Sequence, residues 1–550
     1  MSVYKNPTWY KDAVFYELYV RAFKDGNDDG HGDLKGLLEK LDYLQELGVD
    51  CIWLLPIYPS PLFDDGYDVS DYRGIHQDFG TLEDFKALVE GIHERGMYVI
   101  VDIVLNHTSD QHPWFVESRQ SKDSPKRNWY VWSDTDQRYK DARIIFLDTE
   151  ASNWTYDELT GEYYWHRFYS QQPDLNYDNP EVQQEMLDIV DYWMEMGIDG
   201  FRVDAVPYLF ERENTNCENL AETHEYVRRL RAHVDAKWPG RVLLAEANQW
   251  PQDVRAYFGD GDEFHMAFHF PLMPRLFMSL KQRSRRSIVD IMNRTPEIPP
   301  LAQWCIFLRN HDELTLEMVT EEDRQFMWEQ YAPEPRMRLN LGIRRRLAPL
   351  LDNDRRRIEL LNAMLFTLPG SPIIYYGDEI GMGDDIWRDD RNGVRTPMQW
   401  DTSKNAGFSN ADELYEAVID DDVFGYKVVN VAQQKADPNS LWHTIVHMLT
   451  VRKQYRAFGR GTFQFELPDN DGVLGYWRVY SDEEGGESEQ ERFLVLANLT
   501  DEPQAITLDL AQWAGKTPVD VLASESWPEI TREPCDVVLP PYAYFWLKLN

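Results

Sequence analysis

Residues 179–206, NPEVQQEMLDIVDYWMEMGIDGFRVDAV, read as one helix followed by one strand with a charge at its tip. Asn179 suits a helix N-cap, and Pro180 suits the first helical position, where no backbone N–H is needed. The closing GFRVDAV is an apolar run ending in a carboxylate, Asp204. A buried charge is costly without a partner or a purpose. Arg202 precedes Asp204 by two, so both side chains point to one face of the strand. Two further acids finish apolar runs in the same way, Glu246 in VLLAEAN and Asp312 in WCIFLRNHDE.

Working outward from this segment, strand-like and helical stretches alternate. VFYELYV (14–20) leads to LKGLLEKLDYLQELG, whose Leu37, Leu38, Leu41, Leu44 and Leu47 share one helical face. CIWLLP (51–56) follows. TLEDFKALVEGIHERG then opens on a Thr81/Asp84 capping pattern, closes on Gly96 and returns to YVIVDIV (98–104). VLLAEA, EFHMAFHF, WCIFLRN and SPIIYYGDEI complete eight strands, none of which alternates apolar with polar. Parallel strands covered on both faces read this way, and eight such units predict a (β/α)₈ TIM barrel of the α/β class. A doubly wound open sheet would carry a glycine-rich turn after its first strand, and none is present.

Two regions break the alternation. Residues 107–173, rich in Trp, Tyr, Asp and Ser, predict an irregular lobe inserted after strand 3. Toward the C-terminus, short strands without helices predict an all-β sandwich. The expected organisation is a barrel over 1–106 and 174–458, a lobe over 107–173, and a β-sandwich domain over 459–550.

Composition narrows the partners. A chain of 550 residues with 95 acids against 56 bases has a formal charge of -39, which repels nucleic acid and anionic membranes. Cys51, Cys217, Cys305 and Cys535 lie far apart with no CxxC spacing, and they read as reduced, buried thiols. The first residues lack the pattern of a signal peptide, and no apolar run approaches the length of a membrane span. The expectation is a cytoplasmic protein bound to neither nucleic acid nor membrane, with a homo-oligomer left open.

At the C-terminal ends of barrel strands, three acids form a candidate catalytic set. A guanidinium beside Asp204 would keep it ionised as a nucleophile, while the apolar setting of Glu246 would raise its pKa for general acid work. That pairing points to glycosidic bond cleavage. The segment Asp25-Gly-Asn27-Asp-Asp29-Gly-His31-Gly-Asp33 sets donors at every second position, like the start of a Ca²⁺ loop.

DIVLNHTS, GFRVDAV, LLAEA and FLRNHDE resemble, in order, the four signature regions of the α-amylase family, glycoside hydrolase family 13. The resemblance implies Asp204 as nucleophile, Glu246 as acid/base and Asp312 as transition-state stabiliser. It also implies sugar contacts from His107, Arg202 and His311, from Asp64 and Tyr67 in DDGYDVSDY, and from Arg395 in RTPMQW. Related glucosidases carry a loop like that of residues 25–33, which favours an ion there, Ca²⁺ or alternatively Mg²⁺. A second, structural Ca²⁺ is implied at Asn106, Asp174, Tyr208, Leu209 and Glu211. No organic cofactor is implied.

Within the family, EFHMAFHFPLMPRLFM, RNHDELTLEMV and the long segment ending in RTPMQW resemble members that interconvert maltose and trehalose, with minor hydrolysis to glucose. Oligosaccharide hydrolases of this branch usually follow NHD with Gln-Pro, where this chain has Glu313-Leu314. The alternative is an α-glucosidase or sucrose isomerase on the same barrel. An isomerase must hold the released glucose against water at roughly 55 M, which a closed pocket achieves through effective molarities of ~10⁵ M or more. Candidate latches are Arg143 in the lobe with Glu313 and Glu317, four apart on a helix-like stretch. Gln172 and Asn248 are candidates for holding the mobile glucose.

Overall fold

Full burial explains why the strands do not alternate. β1 (Phe15–Leu18), β2 (Cys51–Leu54), β4 (Gly200–Asp204), β5 (Val242–Ala245), β6 (Met266–Phe268), β7 (Gln303–Phe307) and β8 (Ser371–Tyr375) are buried at every residue, and β3 (Tyr98–Val104) at all but its first. In this computed structural model, which describes residues 6–481 and 490–549, the eight strands close into a parallel barrel in sequence order. β8 returns to β1 with Ile373 opposite Phe15. The outermost ends of the predicted barrel and sandwich segments, and residues 482–489, lie outside the described residues.

The helices between strands begin where their caps place them. Thr81 and Asp84 form a reciprocal capping box at the head of Leu82–Glu94, and Phe85, Leu88 and Ile92 face the barrel. The Asn179 side chain accepts from Glu181 N at 2.9 Å, and Val182, Met186, Ile189 and Trp193 bury one face of Pro180–Glu195. The segment after β1 departs from the single expected helix. It breaks into Leu34–Glu39 and Leu41–Leu47 at Lys40, whose ammonium lies 4.4 Å from the centre of the Trp400 ring. Leu37, Leu41, Leu44 and Leu47 stay buried across the break.

The inserted region has more regular structure than its sequence suggests. Trp132–Ser133, Glu162–Trp165 and Trp154–Asp157 form a three-stranded antiparallel sheet. Its small core joins Val131, Tyr139, Trp154 and Trp165 to Cys217 from the loop after β4. Beyond β7 a second departure appears. The stretch expected to be helix-like holds a strand, Leu314–Thr315, paired with Gly342–Ile343, because those backbone groups are met across a sheet and not along a helix.

At the C-terminus a six-stranded antiparallel sheet packs on the pair Gln504–Leu508 and Cys535–Leu539. Leu494, Leu496, Ile506, Leu508, Leu539 and Leu547 fill the space between, which makes a sandwich. Cys51, Cys217 and Cys305 are buried free thiols, whereas Cys535 is only half-buried on its short strand. Among the described residues no helix is long and apolar enough to cross a membrane.

Gly200 sets the spacing of β4 against β5. A Cβ there would lie 2.1 Å from the Val242 carbonyl oxygen, a backbone atom unable to retreat without shifting β5. Gly200→Ala is expected to cost about 1–3 kcal/mol or more as overpacking, read as a lowered midpoint of thermal unfolding; an unchanged midpoint would refute this account.

Candidate active site

The C-terminal ends of β3, β4, β5 and β7 converge with the loop after β2 on one cavity of about 120 Å³. Asp64, Tyr67, His107, Asp204, Glu246, Asn248, Asp312, Glu313, Glu317 and Arg391 line it, with Ile145, Phe146, Phe168 and Phe270 as apolar walls. Such a mixture suits a sugar ring, whose apolar face packs on aromatics while its hydroxyls take charged partners.

Arg202 organises the floor. Its guanidinium reaches Asp204 at 2.5 Å and Glu246 at 3.1 Å, and it also pairs with the fully buried Asp102 on β3. Burial nevertheless outweighs the arginine for Asp204, whose pKa is pushed up to about 7, and this corrects the expectation of a low value there. Glu246 rises to about 7, again through burial first. The two carboxyls share one cation and titrate as a pair. Asp204 takes the shorter arginine contact, which favours its charged form, while Glu246 also accepts from Ala205 N at 2.9 Å.

Asp312 is held differently. Burial opposes its charge, but His311, Arg391 and Arg395 together keep its carboxyl well below the usual range. Arg391 donates to Asp312 Oδ1 at 2.6 Å and to Asp64 Oδ1 at 2.7 Å, so one guanidinium clamps two site acids. Arg395 reaches Asp312 at 3.1 Å and the His311 carbonyl at 2.9 Å, and it pairs with Asp65 behind the site. Of the two arginines, Arg391 lines the cavity. Sequence reading selected Arg395 and missed Arg391.

Tyr67 stacks on His311 with centroids 5.4 Å apart, and its hydroxyl meets His311 Nε2 at 2.9 Å. His107 is pushed down to about 3 by burial and is therefore a neutral imidazole, its Nε2 3.2 Å from the Tyr67 carbonyl oxygen. Gln172 does not reach the cavity. Its amide donates to Asp64 Oδ2 at 2.9 Å and its oxygen accepts from Tyr169 N at 3.1 Å, so it positions Asp64. Asn248 does line the cavity; its amide donates to Thr315 Oγ1 at 3.2 Å and its carbonyl oxygen has no protein partner among the described residues.

Arg143 crosses from the inserted lobe to the barrel. It contacts Glu317 at 2.7 Å and Glu218 at 2.8 Å, but not Glu313. Glu313 instead accepts from Asn340 Nδ2 at 3.1 Å, and the backbone N of Asn340 donates to Asp148 of the lobe at 2.8 Å. Two connections therefore join lobe and barrel where one was expected. Glu218, Asn340 and Asp148 carried no sequence signal, since each sits in a loop of an acid-rich chain.

The metal-ligand candidates fall into two groups. In the loop after β1, Asp25 takes backbone donors from Asn27, Asp28 and Gly30 and the Ser409 hydroxyl, while Asp33 caps the next helix through Gly36 N. Asn27 and Asp29 bond to each other, and His31 lies against Tyr415. At the second group the oxygens are unmet. Asn106 Oδ1, Asp174 Oδ2 and Glu211 Oε1 are buried and have no hydrogen-bond partner among the described residues. Burial pushes Asp174 up to about 8, and Glu211 rises through burial with Asp174 nearby. Tyr208 and Leu209 stand in the adjacent short helical turn. Among the described residues no cluster of three or more His, Cys, Asp or Glu side chains has metal-binding geometry, so this second set relies on an amide as well as two carboxylates.

Comparison with known proteins agrees with this geometry. The profile of alpha amylase catalytic domains matches residues 17–333 and 343–461, and that of maltogenic amylase C-terminal domains matches 463–546. A trehalose synthase/amylase of Mycobacterium tuberculosis is 56% identical over 99% of this chain and 91% of its own length. The trehalose synthase of Pimelobacter sp. is 54% identical over 99% of this chain and 96% of its own. Among solved structures, trehalulose synthase from Pseudomonas mesoacidophila superposes with a TM-score of 0.77 at 28% identity, covering 98% of this chain and 99% of that one.

Proposed function

The chain belongs to the alpha-amylase family, and we propose that it isomerises maltose to trehalose by glucosyl transfer within a closed cavity. Asp204 attacks the anomeric carbon of the non-reducing glucose, and the glycosidic C–O bond breaks as Glu246 gives its proton to the departing oxygen. A glucosyl ester on Asp204 results. The released glucose then turns, Glu246 takes the proton of its anomeric hydroxyl, and that oxygen displaces Asp204 to form the 1,1-linkage. Water in place of the glucose gives the minor hydrolysis. Asp312, fixed by Arg391 and Arg395, supports the positive charge that develops on the sugar ring.

The observation that carries this reading is the pair Asp204 and Glu246 on a single guanidinium at the floor of a cavity walled in part by Ile145, Phe146 and Phe168 of the inserted lobe. The lobe connections through Arg143 and Asn340 favour a site that closes over its substrate, which favours an isomerase over an α-glucosidase; the 56% and 54% identity to trehalose synthases, against 28% to trehalulose synthase, favours trehalose formation over a sucrose isomerase on the same barrel.

The unmet oxygens of Asn106, Asp174 and Glu211 suit a hard cation such as Ca²⁺, which would tie the end of β3, the base of the lobe and the loop after β4 together. In the loop of residues 25–33 the carboxylates are already met by N–H and O–H donors, so a cation there, Ca²⁺ or Mg²⁺, has less geometric support.

Three outcomes are expected. Wild-type protein incubated with maltose yields trehalose by chromatography, and Asp204→Asn yields neither trehalose nor glucose; glucose alone from the wild type would reject the isomerase. Arg143→Ala raises the share of product released as glucose, about 3-fold or more, by admitting water; an unchanged ratio would remove the latch. Chelation with EDTA lowers the thermal midpoint, and added Ca²⁺ restores it in the wild type but not in Asp174→Asn.

A further inference from the structure

We propose that Glu17, at the third position of β1, is a positioning residue that keeps Nε2 of His311 an N–H donor toward Asp312 and the sugar, an inference resting on the reading of this cavity as the place of glucosyl transfer. Glu17 is 0% exposed, a carboxyl sealed inside the barrel beneath the site. Its Oε2 has no hydrogen-bond partner among the described residues. Its Oε1 is met twice by one residue, through the backbone N of His311 at 3.2 Å and the ring Nδ1 at 2.5 Å. The far side of the same ring faces Asp312 Oδ2, 3.2 Å from Nε2.

The ring has no freedom to turn. Tyr67 stacks on it at 12° between planes, while Tyr19 and Trp53 each meet it edge-on, with centroids 6.0 Å away. Its remaining variable is where its protons sit. A carboxyl and an imidazole in this contact hold one proton between them, and burial pushes the Glu17 carboxyl up, so that proton stays with the pair. With that proton on Oε1 the carboxyl donates to Nδ1 and the neutral ring carries its own proton on Nε2; a proton on Nδ1 of a neutral ring would leave Nε2 bare 3.2 Å from the Asp312 carboxylate, acceptor against acceptor. Nε2 lies 3.2 Å from Asp312 Oδ2 and 2.9 Å from the Tyr67 hydroxyl, and both oxygens can accept from its N–H. A histidine partner of this kind fixes tautomer and orientation in the same way as the carboxylate behind a metal-bound imidazole.

A glutamine at position 17 cannot do this. Its oxygen would have to face the His311 backbone N–H, and that oxygen then demands a proton on Nδ1. Nε2 would carry a proton only as imidazolium, which burial and the nearby Arg202, Arg391 and Arg395 all disfavour. Nε2 and Asp312 would then face each other as two acceptors. The other groups around Glu17 are Asp102, Arg202 and Asp312, with Arg309 just beyond β7 and Tyr375 at the end of β8. None of them approaches the Nδ1 contact, so none can replace the carboxyl.

The test is the pH dependence of kcat and kcat/KM for Glu17→Gln on maltose and on a chromogenic aryl α-glucoside. In the wild type the alkaline limb belongs to the Asp204–Glu246 pair, each carboxyl pushed up to about 7. Glu17→Gln adds a second group that must stay protonated, so its limb begins about one pH unit lower and steepens, with kcat down about 10–100-fold at pH 8 and less at pH 6. In a His311→Asn background the same change has no further effect on the limb. A loss equal at every pH, or effects that add in the double variant, would show that Glu17 only fills space. If Glu17→Gln shows no cooperative unfolding, Glu17→Asp serves instead: keeping the charge, it retains the wild-type limb with a lower kcat, and a displaced limb would overturn the proposal. The aryl glucoside keeps the two readings apart, because a wild type that cleaves it but makes no trehalose contradicts the isomerase while leaving the Glu17 profile to be judged.

Discussion

One buried cation governs the centre of this barrel. Arg202 is 2% exposed and contacts Asp102, Asp204 and Glu246. Removing one partner from a buried ion group leaves an uncompensated charge and costs several kcal/mol, whereas the complete group roughly balances its desolvation. The cluster is therefore weak evidence for stability and stronger evidence for chemistry. With three carboxyls on one guanidinium, one proton is retained near neutral pH, and glycosyl transfer requires that state: one partner charged, the other able to donate.

Much of this was legible because parallel strands announce themselves. The eight strands read as uninterrupted apolar runs, and the acids at their tips stand out against that background. The polar residues that complete the site were legible only by resemblance, or not at all. Arg391 lies in a loop with no period, and Glu17 and Asp102 sit inside strands where a single acid between apolar neighbours looks like an edge residue of an ordinary sheet. Gln172 was misread because proximity to the site in sequence does not say which way an amide points. The expected helix at 313–317 failed for a related reason: its backbone groups pair with Gly342–Ile343, a partner some thirty residues away that local propensity cannot see.

The lobe gains its order from aromatics and ion pairs more than from long strands. Its sheet has strands of two to four residues, and its own core is small. Such a unit holds its place through what it touches. Arg167, buried at the base of the lobe, reaches Glu218 at 2.8 Å, the same carboxylate that Arg143 contacts. Burial opposes the charge on Glu218, yet the two arginines hold its carboxyl below the usual range. An exposed ion pair would contribute little; the Arg167 contact is dry, whereas the Arg143 side chain is 37% exposed and matters through its geometry more than its net energy.

Glu218 also accepts from Gln249 Nε2 at 3.1 Å. Gln249 belongs to the short loop after β5 that begins with Glu246 and includes Asn248, so the proposed proton donor, the cavity-lining Asn248 and the side chain that reaches Glu218 lie within four positions of one another. One hydrogen bond thus connects the carboxylate that holds Arg143 and Arg167 to the segment that carries the proposed acid. In the proposed reaction this contact couples the seating of the lobe to the placing of the acid, and a lobe that loosens while the acid stays in position admits water to the glucosyl ester. On that reading the partition between transfer and hydrolysis depends on how firmly Glu218 and its two arginines hold the lobe, with the catalytic carboxyls unchanged.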